Sequence, residues 1–371
     1  LEKTMSTPSE IHYDPKFVDI FGKTIGMIRK VIMSETAQPF ILSGPSTLGW
    51  DMLSNVIESN DQVLVLNYGY SSSQISECLE LYGARVTQIC PQIGLHPSQE
   101  AIEQAVTNTR YKLIAITHVE TSTGVLSDIK TIAEIVKSIS PKTLVVVDAI
   151  CSINSEEICF DLWNLDIIIT GSQKFMGVRA GLSIVIVSQK AISISQNRKM
   201  PIASYHTNWN KWLPVMQSYE TGQFSCFATP SLELIYALHT TMTKMLGEPF
   251  NARFDKQRQV VSEFRRTVRN WGLQLVPRNE AWAANEYTSI WLPKGLDIVK
   301  LVENIAKKGV QINVGSFKSS TPYLRFSHMR TSVTDNERQH IMKAAENALF
   351  CSLNEMGYKF IDHCSASASR L

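Results

Sequence analysis

Asp166-Ile-Ile-Ile-Thr-Gly-Ser-Gln-Lys-Phe-Met-Gly177 passes from an apolar run to a polar turn within a few residues. The isoleucines between Asp166 and Thr170 read as a short strand buried on both faces, because an unbroken β-branched run has no side to offer water. Small polar residues follow at once, so the chain leaves the sheet at Gly171-Ser-Gln-Lys174. In open α/β proteins, ligand chemistry collects at the carboxyl ends of strands, and Lys174 stands at such an end. Upstream, Leu144-Val-Val-Val-Asp148 is a second apolar strand, and it ends in a carboxylate.

Working outward, strands are expected at Phe40–Leu42, Val63–Leu66, Arg85–Ile89, Leu113–Thr117, Thr143–Asp148, Asp166–Thr170 and Leu182–Val187. Helical spacing falls between them at Ser73–Tyr82, Ser98–Val106 and Asp128–Ile139, with a further helix from Gly49 through Ile57 and another at Asp14–Met33. Alternation of this kind over residues 40–190 predicts an α/β domain around a mainly parallel sheet. A lysine and an aspartate, each at the end of a buried strand, suit pyridoxal phosphate. The lysine can form a Schiff base and the aspartate can keep the pyridine nitrogen protonated. A surface lysine and an ordinary strand-end aspartate are the alternative. Ser43-Gly-Pro-Ser-Thr-Leu-Gly49 reads either as an anion site at a helix start or as a plain strand-to-helix turn.

The bulk properties exclude several classes. With 371 residues the chain has room for two domains, and 44% hydrophobic with 19% charged residues is a globular composition. A net charge of +2 gives no basic footprint for nucleic acid, and no apolar run approaches membrane-spanning length. The seven cysteines are scattered, with neither CxxC pairs nor histidines at metal-ligand spacing, so they read as reduced core residues without zinc. The chain opens at Leu1, which suggests missing N-terminal residues. It ends in Ser369-Arg370-Leu371 after a polar linker, a variant of the Ser-Lys-Leu peroxisomal address that an import receptor reads.

Beyond residue 190 the pattern changes. Pro201–Ala228 is aromatic-rich and is expected to be an irregular connection or subunit interface. Helices follow at Ser231–Leu246 and Arg253–Trp271. Then come strands at Tyr287–Leu292, Val310–Asn313 and Tyr323–Ser327, with helices at Leu296–Lys308 and Asp335–Leu353. These predict a large domain over 1–250, a small C-terminal α+β domain over 251–360, and a polar tail over 361–371.

Five motifs occur in order: Thr117-His-Val-Glu-Thr-Ser-Thr-Gly-Val-Leu126, Val147-Asp-Ala-Ile-Cys-Ser152, Gly171-Ser-Gln-Lys174, Phe227-Ala-Thr-Pro230 and Tyr323-Leu-Arg-Phe-Ser-His328. Together they resemble the class V, fold type I pyridoxal phosphate enzymes, in particular the alanine–glyoxylate and serine–pyruvate aminotransferases of fungi. The resemblance covers nearly all of residues 11–355. It implies Lys174 as Schiff-base lysine and proton carrier, Asp148 as partner of the pyridine nitrogen, and Ile150 against a ring face. It also implies Thr121 near the ring hydroxyl, and Gln173 with Pro45-Ser46-Thr47 at the phosphate. Thr229 would reach the phosphate of a neighbouring subunit in a homodimer with shared sites, and Arg325 would hold the substrate carboxylate. The implied reaction moves the amino group of alanine to glyoxylate by a ping-pong cycle through pyridoxamine phosphate, giving pyruvate and glycine. A serine–pyruvate or serine–glyoxylate enzyme is the runner-up.

Departures from the family pattern are equally specific. Its Gly-Ser-Gly phosphate turn is Gly44-Pro45-Ser46 here, so Ser46, Thr47 and their amides must do more. Ser71 stands where an aromatic ring stacks on the cofactor, with Tyr70 as a substitute, and Cys226 stands in place of a phosphate-contacting tyrosine. Arg179 is a candidate second cation. Such changes keep a catalytically impaired paralogue in view. A cysteine desulfurase is disfavoured because Val314–Pro322 contains no cysteine.

Overall fold

The computed structural model describes residues 11–315, 317, 321–329 and 340–361, so the tail with Ser369-Arg370-Leu371 lies outside the described residues. Helix α1 (Pro15–Val31) opens the described chain, its first turn capped by Asp14, whose carboxylate accepts from the Lys16 amide at 2.8 Å. Phe17, Phe21, Ile25 and Ile28 recur at helical spacing and are buried together.

The central sheet has seven strands: β1 (Gln38–Ser43), β2 (Gln62–Leu66), β3 (Arg85–Ile89), β4 (Leu113–Thr117), β7 (Leu144–Asp148), β8 (Ile167–Gly171) and β9 (Leu182–Val187). Their spatial order is β1-β9-β8-β7-β4-β2-β3. Only β9 runs against its neighbours, pairing antiparallel with both β1 and β8, while β8, β7, β4, β2 and β3 are parallel. The carboxyl ends of β1, β4, β7 and β8 therefore lie on the same edge. Every residue of β4, β7 and β9 is buried, as expected for strands with helices on both faces. A two-stranded ribbon, β5 (Val119–Glu120) with β6 (Val125–Leu126), extends from the end of β4.

Helices α3 (Tyr70–Leu81), α4 (Gln99–Asn108) and α5 (Ile129–Ile139) fall close to their expected places; Ser98 caps α4 and Asp128 caps α5. Three expectations need correction. The helix from Gly49 to Ile57 is a single turn, α2 (Leu48–Asp51), that tightens into a 3-10 turn at Met52–Asn55. The stretch 201–228 is not irregular throughout. It contains α7 (Trp209–Glu220), which follows α6 (Gln189–Gln196) and accommodates Pro214 while burying Trp209, Trp212, Met216 and Tyr219. Burial of those large side chains outweighs the cost of an internal proline. The strand expected at 310–313 lies further on, as β11 (Asn313–Gly315), where it can pair with β12 (Tyr323–Ser327).

Helices α8 (Leu232–Leu246) and α9 (Phe250–Asn270) lead to a second apolar core. There β10 (Tyr287–Trp291), β12 and β11 form an antiparallel sheet under α10 (Ile298–Lys307) and α11 (His340–Glu355). Residues 335–339 of the last expected helix lie outside the described residues. Val268, Ile290, Leu301, Ile305, Leu349 and Leu353 fill this core.

Between the cores lies a buried polar junction. Asn285 donates to Glu156 at 2.8 Å, and Arg265 donates to Asn285 at 3.1 Å. Ser155 donates to Oε1 of the fully buried Glu286, whose Oε2 has no partner among the described residues. Burial, and then the nearby Glu156 carboxylate, hold the Glu286 carboxyl well above its ordinary range. A carboxyl whose folded pKa is raised contributes stability that is full below its unfolded value and lost as pH rises through the folded value. Glu286→Gln is therefore expected to raise Tm by about 2–4 °C at pH 8 and by less at pH 5. Thermal melts across that range check it, and an equal change at both pH values would contradict it.

Candidate active site

The site forms at the common carboxyl edge of β1, β4, β7 and β8. Backbone bonds hold that edge together: the His118 amide donates to the Asp148 carbonyl at 2.9 Å, and the Ala149 amide to Ile169 at 2.8 Å. The Asp148 side chain is 5% exposed. Its Oδ1 accepts from the Ile150 amide at 2.9 Å and its Oδ2 from the Trp50 indole at 3.0 Å. No cation pairs with it among the described residues. Burial pushes this carboxyl up to about 7, opposed by the Ile150 and Trp50 hydrogen bonds and reinforced by Glu120. A buried carboxylate without a cation is a costly arrangement in isolation, and it favours a cationic or N–H-bearing ligand.

Lys174, in the turn after β8, is half-buried, and its Nζ donates to the Tyr287 hydroxyl at 3.5 Å. The Tyr287 hydroxyl also lies beside the Cys151 thiol, which burial pushes up to about 12 and so keeps neutral. On β12, Arg325 projects toward the same place: its guanidinium lies 5.5 Å from the Tyr287 ring centroid. Its Nε is buried and has no hydrogen-bond partner among the described residues.

At the end of β1, Ser46 donates to Gln173 Oε1 at 2.8 Å, which joins the 44–47 turn to the turn that carries Lys174. Gly171 permits this approach, since a Cβ there would stand 2.0 Å from Ser46 Oγ. The amides of Leu48, Gly49 and Trp50 are already bonded to the carbonyls of Pro45, Ser46 and Thr47 at 3.0, 3.0 and 2.9 Å. Those of Ser46 and Thr47 have no partner among the described residues, and Pro45 has no N–H to give. Both Pro45 and Thr47 are exposed, Thr121 is half-buried in the turn between β5 and β6, and Ile150 is half-buried just past the end of β7.

The structure thus brings Lys174, Gln173, Ser46, Asp148, Ile150 and Arg325 to one region. Thr229 is exposed, and no hydrogen bond among the described residues joins it to them; the nearest tie is from the Ser231 amide to Ser43 Oγ at 3.0 Å. Tyr70, the expected substitute ring, is 59% exposed, and only its amide is engaged, with Ser122 Oγ at 2.8 Å. Arg179 and Cys226 are exposed as well.

Three neighbours escaped the sequence reading. Sequence pattern places Trp50 only within a helix, yet its indole reaches across to Asp148. It places Tyr287 only within a strand. Glu120 is fully buried and accepts from the Ser72 amide at 3.2 Å, Ser72 Oγ at 2.9 Å and Ser122 Oγ at 2.7 Å, so it seals the start of α3 against the ribbon. A Cβ on Gly69 would overlap Glu120 at 2.0 Å. The glutamate among small hydroxyl residues in 117–124 was a usable signal; for Trp50 and Tyr287 nothing in spacing marks a site role.

Residues 45–332 match the family described as aminotransferase class-V. The alanine–glyoxylate aminotransferase 1 of Saccharomyces cerevisiae is 36% identical over 345 residues, covering 89% of this chain and 88% of the yeast protein. A serine–glyoxylate aminotransferase of Methylorubrum extorquens is 25% identical over 332 residues, 88% of this chain and 82% of its own. In fold, the ureidoglycine–glyoxylate aminotransferase of Bacillus subtilis superposes with a TM-score of 0.87 at 24% identity, covering 97% of this chain and 91% of that one. The sheet order, the shared carboxyl edge and these matches agree: the chain belongs to the class-V aminotransferases, pyridoxal phosphate-dependent enzymes of fold type I.

Proposed function

We propose that this enzyme transfers the amino group of alanine to glyoxylate in a ping-pong order. Alanine leaves as pyruvate before glyoxylate enters and leaves as glycine. The observation that carries the reading is the juxtaposition of buried, cation-free Asp148, Lys174 and the orphaned Nε of Arg325. The residues present fit pyridoxal phosphate. Asp148 lacks a cation and can accept from the ring N–H, while the unbonded amides of Ser46 and Thr47, in the turn that Ser46 ties to Gln173, can donate to a phosphate. When bound, the cofactor supplies an electron sink for the bond broken at the substrate Cα.

The rest is the work of this chain. Lys174 would bind the cofactor and, when free, would hold and move the proton of the substrate Cα. Asp148 would keep the ring nitrogen protonated, and Ile150 would lie at the ring. Thr121 would serve the ring hydroxyl region. Pro45, Ser46 and Thr47 form the phosphate turn. Arg325 binds the substrate carboxylate through two parallel N–H bonds. Arg325 is the cation placed beside Tyr287 and Lys174, and a lone carboxylate clamp there would favour monocarboxylic over dicarboxylic donors. The exposure of Thr229 leaves it available to a second subunit, and we propose a homodimer in which it meets the partner's phosphate.

The yeast relative supports alanine as donor, and the Methylorubrum relative keeps serine as the second reading. A half-reaction screen separates them: protein loaded with pyridoxal phosphate is mixed with each amino acid, and loss of the lysine-bound cofactor band is followed. Faster loss with alanine is expected. Faster loss with serine favours the serine reading, and inertness toward both sinks the assignment.

A further inference from the structure

Arg325 pairs directly with Ser289 across β12 and β10, and Tyr287 pairs with Ser327. Alternate residues of a strand share a face, so Tyr287 and Arg325 are diagonal neighbours on one side of the small sheet. The guanidinium lies over the ring at 5.5 Å, and the hydroxyl at the far end of that ring receives the Lys174 Nζ at 3.5 Å. Tyr287 is 5% exposed and packs with Val119 and Cys151 from the large domain and with Ala284 beside it, a cluster separate from both main cores. One rigid side chain, with two rotatable bonds, thus spans the substrate-binding arginine and the reacting lysine.

We propose that Tyr287 is a positioning residue of this site. Its ring face fixes the guanidinium of Arg325 for the substrate carboxylate, and its hydroxyl oxygen holds the protonated nitrogen of Lys174. The inference rests on the aminotransferase reading and adds a residue to it. The two contacts make separable demands. Removing the hydroxyl alone leaves the ring under Arg325, whereas removing the ring frees the guanidinium to sample other rotamers. A contact at the outer edge of hydrogen-bond range is modest in the free protein, as such contacts commonly are before substrate binds.

The test uses the full chain loaded with pyridoxal phosphate and whichever amino donor the wild type accepts. In Tyr287→Phe, the pH midpoint of the lysine-bound cofactor band is expected to fall by about half a pH unit, because an acceptor for the protonated nitrogen is lost. The donor KM should stay within about twofold, since the cation–π contact remains. In Tyr287→Leu, the donor KM is expected to rise about tenfold. An unchanged midpoint in the phenylalanine variant, or an unchanged KM in the leucine variant, overturns the corresponding half of the proposal. Tyr287→Phe is nearly isosteric, so its midpoint is readable even where the leucine variant fails to fold. Absence of the band in the wild type would instead bring down the aminotransferase reading itself, and the two failures are therefore distinct.

Discussion

Lys174→Ala is expected to abolish the absorbance band at roughly 400–430 nm that marks lysine-bound pyridoxal phosphate, and to lower turnover by about 10⁴-fold. Its side chain sits in the turn between β8 and β9, and among the described residues its Nζ hydrogen-bonds to Tyr287, at 3.5 Å. It forms no ion pair there, so the substitution removes chemistry and little packing. Stability should stay within about 0.5 kcal/mol of the wild type. The combination is diagnostic. A residue retained for structure would lose Tm with its activity, whereas a proton carrier loses rate alone. Spectra and single-turnover rates with the supplied cofactor check it, and a surviving band would remove Lys174 from the role on which the functional reading depends.

Asp148→Asn is expected to move activity and apo-protein stability in opposite directions. In the free protein its carboxyl is pushed up to about 7, chiefly by burial and against hydrogen bonds from Ile150 and Trp50. A group with a raised folded pKa supports the fold fully below its unfolded value and loses that support as pH rises through the folded one. Asp148 therefore costs the apo protein stability near pH 8, by about 4 kcal/mol at most. Asparagine keeps the shape and cannot ionise, so the apo variant should melt higher at pH 8 and unchanged near pH 4. Turnover should fall by about 10²–10³-fold, the scale seen when one preorganised electrostatic contact is lost. Melting curves with and without cofactor measure the first effect and steady-state rates the second. Equal stability of the two apo proteins at pH 8 would show that Asp148 finds a cation by itself.

Much of this architecture was legible in order along the chain. The mainly apolar runs at 113–117, 144–148 and 182–187 read as buried strands, and they are buried at every residue. Asp148 ends one parallel strand and Lys174 follows its neighbour β8, so local pattern already placed both at one sheet edge. The helix of 209–220 was hidden because Pro214 and clustered aromatics mask its period, and only packing resolves it. The 49–57 stretch failed for the opposite reason. Its apolar residues suggested a longer helix, but the turn is a tight one that must leave Trp50 facing Asp148.

At Asp166–Gly177 the local code is sufficient, because a β-branched strand followed by small polar residues has few ways to fold and one place to put a lysine. The sequence by itself therefore determined the α/β class and the strand ends at which Asp148 and Lys174 stand. Only the tertiary structure decided that Trp50 holds Asp148, that Ser46 meets Gln173, and that Tyr287 stands against Lys174. These contacts join residues 98, 127 and 113 positions apart in the chain. No periodicity or propensity encodes them, because they arise from how separate buried faces pack and which polar atoms that packing leaves to find one another.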